Sequence, residues 1–190
     1  NCTGRPFYYQ GQDLGYCPYG AGGGGNSRVW ARPSYQRNAG VSSRYSAAAP
    51  WCQARSGTPC REVPDVAIDA DPNSGYGIYC TDRGDPLCAS SPGWNEVGGT
   101  SAGAPLWAAI AVLADAYRHK RQGLLNERLY VYDTASGYRY GMHDIARAVT
   151  FTYAGARYTV GTNGFFPVTP DYDLATGIGT PIIYAFAESW

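Results

Sequence analysis

Between residues 98 and 122 the apolar positions take a helical period. Leu106, Ile110, Leu113 and Tyr117 stand at i, i+4, i+7 and i+11, and Trp107, Ala111 and Ala114 make the adjoining face apolar as well. This pattern predicts a helix buried on most sides in its early turns. It turns polar over residues 118–122 and stops at Gly123, with basic residues in the last turn, where the helix dipole favours them.

Elsewhere the period is two or absent. Residues 63–70 (VPDVAIDA) alternate imperfectly with β-branched residues and run into DPNSG, a turn signal, before the strand-like YGIYC; the reading is a strand pair around residues 71–75. WNEVGG predicts a short strand that enters the helix. Beyond the helix, LLNERLYVYD reads as a shorter helix, FTYAGARYTV as a strand or hairpin, and PIIYAFAESW as a terminal helix begun by Pro181. Residues 1–60 are dense in Gly, Pro, Ser and Asn and read as surface loops with one short strand at 28–32. The glycines at 22–25 read as a flexible loop tip. The chain thus divides into a loop-rich region (1–60), a strand and helix region (61–122) and a C-terminal region (123–190), with no repeat and no linker.

Composition narrows this picture. At 190 residues the chain fits one domain able to bury roughly 70% of its unfolded surface. The charged fraction is 16% and the formal net charge is zero, so no basic field draws in nucleic acid or an anionic membrane surface. The apolar stretch 102–114 is too short to span a bilayer. Six cysteines fall into neighbours along the chain, Cys2 with Cys17, Cys52 with Cys60 and Cys80 with Cys88. No C-x-x-C spacing points to zinc, and the expectation is local disulfides and a secreted, extracellular protein processed before Asn1.

The sharpest chemical signal is a strand, then GGTSAGAP at 98–105, then the apolar helix. Ser101 there stands at a helix N-terminus, where unpaired N–H groups and the positive dipole end can hold a developing oxyanion. The plain alternative is that Ser101 or Thr100 only caps the helix. The segment resembles the G-T-S-A-x-x-P signature of the sedolisin family, and three further stretches resemble that family in the same order: RPSYQ at 32–36, REVPDVAIDADP at 61–72 with the SGY turn, and Asp144-Ile145 with YDLATGIGTP at 172–181.

The resemblance implies the C-terminal part of an α/β, subtilisin-like domain with the long helix packed inside a parallel-rich sheet. It implies a serine-carboxyl peptidase in which Ser101 attacks a peptide carbonyl and forms an acyl-enzyme. The serine would be activated by a glutamate and an aspartate, with another aspartate in the oxyanion hole, and the resemblance implies that all three belong to an upstream segment or chain; Asp65, Asp69, Asp71 and Glu96 match none of the family's catalytic positions, and Asp65 and Asp71 read as turn and hydrogen-bonding residues. A carboxylate base works at acidic pH, where histidine would be protonated. The resemblance also implies a calcium site made by the carboxylates of Asp144 and Asp173 and the carbonyls of Ile145, Thr169 and Asp171. Thr169 and Asp171 stand where the family commonly has glycine, and Gly103 where it more often has serine or alanine.

Two rival readings remain at this point. Residues 99–103 also fit G-x-S-x-G, the nucleophile elbow of α/β-hydrolase esterases, with Asp133 and His143 as partners; the loop-like residues before it and the lack of an HGGG oxyanion motif speak against that. The other rival is a non-catalytic, calcium-binding secreted module, since a serine without a base is a weak nucleophile. His119 and His143 read as solvated residues.

Overall fold

Short connections between β-rich segments favour hairpins, whereas parallel neighbours need crossovers of a dozen residues or more and cover on both faces. The computed structural model of the protein describes residues 6–9, 12–16, 22–37, 59–71, 75–134, 141–153 and 155–189, and among these the hairpin dominates. Strands β8 (Val149–Tyr153) and β9 (Ala156–Val160) pair antiparallel across a tight turn, and β1 (Pro6–Tyr9) pairs antiparallel with β2 (Gln12–Tyr16). The two hairpins join through one parallel contact, Tyr16 opposite Tyr158, into a sheet of order β1-β2-β9-β8. Three two-stranded antiparallel pairs complete the described β-structure: β3 (Gly25–Ala31) with β4 (Cys60–Val63), β5 (Tyr76–Cys80) with β6 (Gly93–Val97), and β7 (Met142–His143) with β10 (Thr180–Pro181). The described residues therefore form a mixed α/β structure of small sheets, in which the parallel contact is the one between β2 and β9.

Several local expectations shift. YGIYC pairs with GWNEV, not with residues 63–70, because Pro64 lacks the N–H a central ladder position needs; residues 64–71 instead run as an unpaired strap beside the C-terminal loop. The glycines at 22–25 are not a loop tip: Gly24 lies so close to the chain that a Cβ there would fall 1.8 Å from the Leu174 carbonyl oxygen, and Gly25 opens β3. Pro181 sits in β10, and the terminal helix begins two residues later.

Four helices are described: α1 (Pro86–Ser90), α2 (Thr100–Arg118), α3 (Leu125–Thr134) and α4 (Ile183–Ser189). The long helix α2 ends five residues before Gly123, because His119 adopts the left-handed conformation at φ 51° and turns its N–H onto the Ala116 carbonyl. Ile110 and Ala114 of α2 meet Phe186 of α4, Tyr130 of α3, and Tyr172 and Ile178 of the loop before β10 in one buried core. Trp107 stands edge-on to Phe186 with ring centroids 5.7 Å apart, a contact worth about 1 kcal/mol beyond its area.

That core takes only one stripe of α2. The helix was expected to be buried on most sides, yet Ala104, Pro105, Ala108, Ala109, Val112, Leu113, Ala116 and Tyr117 are all exposed. Among the described residues the cover comes from α4, α3, the C-terminal loop and, at the first turn, Ile68, which leaves the remaining positions of the helix open.

The Cys80–Cys88 disulfide forms as the spacing suggested and closes the loop between β5 and β6. Cys60 is disulfide-bonded too; Cys2, Cys17 and Cys52 lie outside the described residues. Among the described residues no helix is long and apolar enough to cross a membrane.

Candidate active site and C-terminal loop

Strand β6 delivers the chain to Gly98 and Gly99, and Gly99 takes φ 118°, a conformation that L side chains rarely adopt, so the chain turns there into α2. Gly99 is the N-cap and no side chain caps the helix. The alternative that Ser101 or Thr100 serves as the cap is thereby removed. Ser101 is the second residue of α2 and is exposed. The Ala102 N–H turns back to the Gly99 carbonyl at 3.0 Å, while the Ser101 N–H belongs to the first turn, which no intrahelical carbonyl reaches. Four residues on, Pro105 has no N–H to return to the Ser101 carbonyl. The arrangement leaves a hydroxyl and an N–H side by side at the positive end of a helix of 19 residues.

Two contacts hold this turn from the strap. The Gly99 N–H donates to the Ala70 carbonyl at 2.7 Å, and a Cβ at Gly103 would lie 3.0 Å from Cγ2 of Ile68. That tight approach accounts for glycine at 103.

The acids near the turn serve structural bonds. Asp69 Oδ1 accepts the Asp71 N–H, the Asp69 carbonyl accepts the Tyr76 hydroxyl, and Glu96 accepts the Gly75 N–H. Asp65 joins a polar cluster that sequence reasoning left unassembled: its carboxylate accepts the Tyr130 hydroxyl at 2.8 Å and pairs with Arg61. Gln36, fully buried, exchanges bonds with the Glu62 backbone and donates to Tyr130 at 2.8 Å, and Glu62 pairs with Arg32. Burial, reinforced by the Asp65 carboxylate, pushes the Tyr130 phenol well above its usual value. A partial signal for the cluster lies in REVPD, which holds three charged residues in five in a chain whose charged fraction is 16%.

The C-terminal residues gather as well. The Asp171 N–H donates to Asp144 Oδ2 at 3.0 Å, whereas Asp144 Oδ1 is buried without a hydrogen-bond partner. Asp171 stands at φ 66°, the left-handed region in which glycine is at ease. Asp173, 1% exposed, accepts the N–H groups of Thr169, Ala175 and Thr176 and the Thr176 hydroxyl. Burial raises its carboxyl above the usual range, against the pull of those donors. Thr169 is exposed and Ile145 half-buried. Among the described residues no group of three or more His, Cys, Asp or Glu side chains converges as a metal would need; oxygen donors here come from one bare carboxylate oxygen and from backbone. His143 is exposed and its backbone pairs with Thr180; the Asp133 side chain lies outside the described residues.

No protein-family model matches the chain. Over 165 residues, 86% of its length, it is 33% identical to kumamolisin of Bacillus sp. (strain MN-32). Kumamolisin is a sedolisin-family peptidase. The chain is a sedolisin relative. It spans about a quarter (24%) of kumamolisin's length.

Within this sedolisin segment the motifs singled out in sequence converge. RPSYQ and REVPD meet in the polar cluster, the strap that follows REVPD holds the GTSAGAP turn, and the DLATGIG loop lies against the same strap. Gly177 makes that last contact possible, since a Cβ there would lie 2.3 Å from the Asp65 carbonyl oxygen, and Gly179 lets the same loop approach β7, where a Cβ would lie 2.1 Å from the His143 carbonyl oxygen.

Proposed function

We propose that this chain carries the nucleophile of a serine-carboxyl peptidase that acts on polypeptides at acidic pH. The observation that carries the reading is Ser101 itself, exposed in the first turn of α2, with Gly99 doing the capping and the hydroxyl left for chemistry. Ser101 Oγ attacks the peptide carbonyl carbon and its proton passes to a carboxylate base. The amine leaves with a proton, and water then hydrolyses the acyl-enzyme. The Ser101 N–H steadies the oxyanion.

The base comes from a companion, an upstream segment or separately processed chain of the same secreted peptidase, matured from a zymogen. Support comes from α2, which exposes a stripe of eight apolar or small residues over about four turns that a partner would cover. The ion proposed for this loop is calcium, to be held by Oδ1 of Asp144, which is buried without a partner, and by the carbonyls of Ile145, Thr169 and Asp171; the Asp173 carboxylate, expected as a ligand, is occupied by the N–H groups of Thr169, Ala175 and Thr176 and orders the loop instead.

The test is acid hydrolysis of a denatured protein substrate by the native assembly. Ser101→Ala is expected to lower kcat by at least about a thousandfold, and Glu96→Gln to leave it unchanged. Activity retained in Ser101→Ala overturns the reading.

A second reading, a non-catalytic calcium-binding module, is favoured by one observation: no described carboxylate hydrogen-bonds the Ser101 hydroxyl. It predicts a folded chain that takes up calcium and leaves active-site labels unreacted.

A further inference from the structure

The strap at residues 65–70 touches three parts of the molecule in turn. At its start the Asp65 carboxylate accepts the Tyr130 hydroxyl of α3 and pairs with Arg61, while the Asp65 carbonyl accepts the Ile178 N–H at 2.9 Å. In its middle the Ala67 N–H donates to the Gly179 carbonyl at 2.8 Å, and Val66 and Ile68 pack against the buried core. At its end the Ala70 carbonyl holds the Gly99 N–H, and Ile68 stands against Gly103. Ser101 therefore lies between two points, 99 and 103, that the same strap fixes.

We propose that Asp65 is a positioning residue for Ser101, acting through this strap. The proposal rests on the reading of Ser101 as the nucleophile and adds to it a residue that touches neither substrate nor the reacting atoms. The physical argument concerns alternatives. The strap has no sheet ladder to fix its register, so its place along the molecule is set by the few separate anchors along it, in the middle at Ala67 and Ile68 and at both ends. The strong anchor at the Asp65 end is a charged group with a cation on one side and a buried phenol on the other. Release of that anchor lets the strap slide and fray, and the first group to lose its partner downstream is the Gly99 N–H.

The experiment is amide hydrogen exchange on the full 190-residue chain, comparing wild type with Asp65→Asn and Tyr130→Phe. The second variant removes one hydroxyl from a ring already packed against Tyr35 and decides the matter where the first does not fold. Exchange at Gly99 and Ala102 is expected to quicken by about tenfold, the loss of one good hydrogen bond, while Ala114 in the body of α2 and Phe186 in α4 keep their wild-type rates. A merely structural role would move all four amides by one factor through global unfolding. That uniform change, or no change at Gly99 and Ala102, overturns the proposal. Acyl labelling of Ser101 is scored separately: a selective exchange response with no label at Ser101 keeps the coupling and rejects the peptidase reading.

Discussion

The Ile178 N–H donates to the Asp65 carbonyl at 2.9 Å, so the loop that contains Asp173 is bonded directly to the strap that ends at the turn before Ser101. Two motifs more than a hundred residues apart in sequence are thus joined by this bond and by the Ala67 N–H to the Gly179 carbonyl; the approach to the strap requires glycine at 177, and the approach to His143 requires it at 179. Gly179 has φ 97° and no room for a Cβ. Gly179→Ala is expected to destabilise the chain by about 2 kcal/mol or more, through strain and through displacement of the His143 backbone. Urea unfolding reads the change, and a stability within about 0.5 kcal/mol of wild type would contradict the packing described.

Calcium should act on the same loop. Asp144 offers a buried oxygen with no donor, and a cation at that oxygen relieves its desolvation. Added calcium is expected to raise the melting temperature of wild type, with the gain growing with concentration as binding linkage requires. Asp144→Asn is expected to lose most of that gain. Equal calcium responses in the two proteins would place the ion elsewhere.

Tyr130 gives an alkaline prediction. Its phenol ionises above the ordinary value in the folded chain because it is buried and faces Asp65. Its contribution to stability is present in full below the ordinary tyrosine value of about 10 and is lost as pH rises beyond that value, because the unfolded chain releases the proton first. Stability should fall across that window, and Tyr130→Phe should flatten the fall. Melting curves against pH, with tyrosinate absorbance, check it; an unchanged slope in the variant contradicts the burial of that phenol.

The Cys80–Cys88 bridge closes the loop between β5 and β6, the strand that leads into the turn before Ser101. Replacing both cysteines by serine is expected to cost about 2.5 kcal/mol, the loop-closure entropy for a span of this length. Thermal unfolding under oxidising conditions measures it.

Much of this was legible in sequence, and the exceptions have physical reasons. The helix after Ser101, the hairpin at 149–160 and the Cys80–Cys88 bridge follow from period and spacing. The pairing of residues 63–70 differs from the expectation because alternation reports that one face is buried, not which neighbour supplies the ladder, and the strap bonds to residues 178 and 179 instead. The burial of α2 was over-read because an apolar helix shows in sequence what it must hide, not whether this chain holds the cover. At the site, Ser101 stood out through its motif. The Asp65 cluster did not, since its members come from residues 32–36, 61–65 and 130 and meet only after folding.

The most direct test of Ser101 as nucleophile is mass spectrometry of native material reacted with a peptide-aldehyde inhibitor at acidic pH, with digestion to locate the adduct. The account predicts one adduct, on Ser101, lost in Ser101→Ala, together with a copurifying upstream segment that supplies the carboxylates. Peptide hydrolysis at acidic pH with Ser101 unmodified, or with the adduct on another residue, would contradict it.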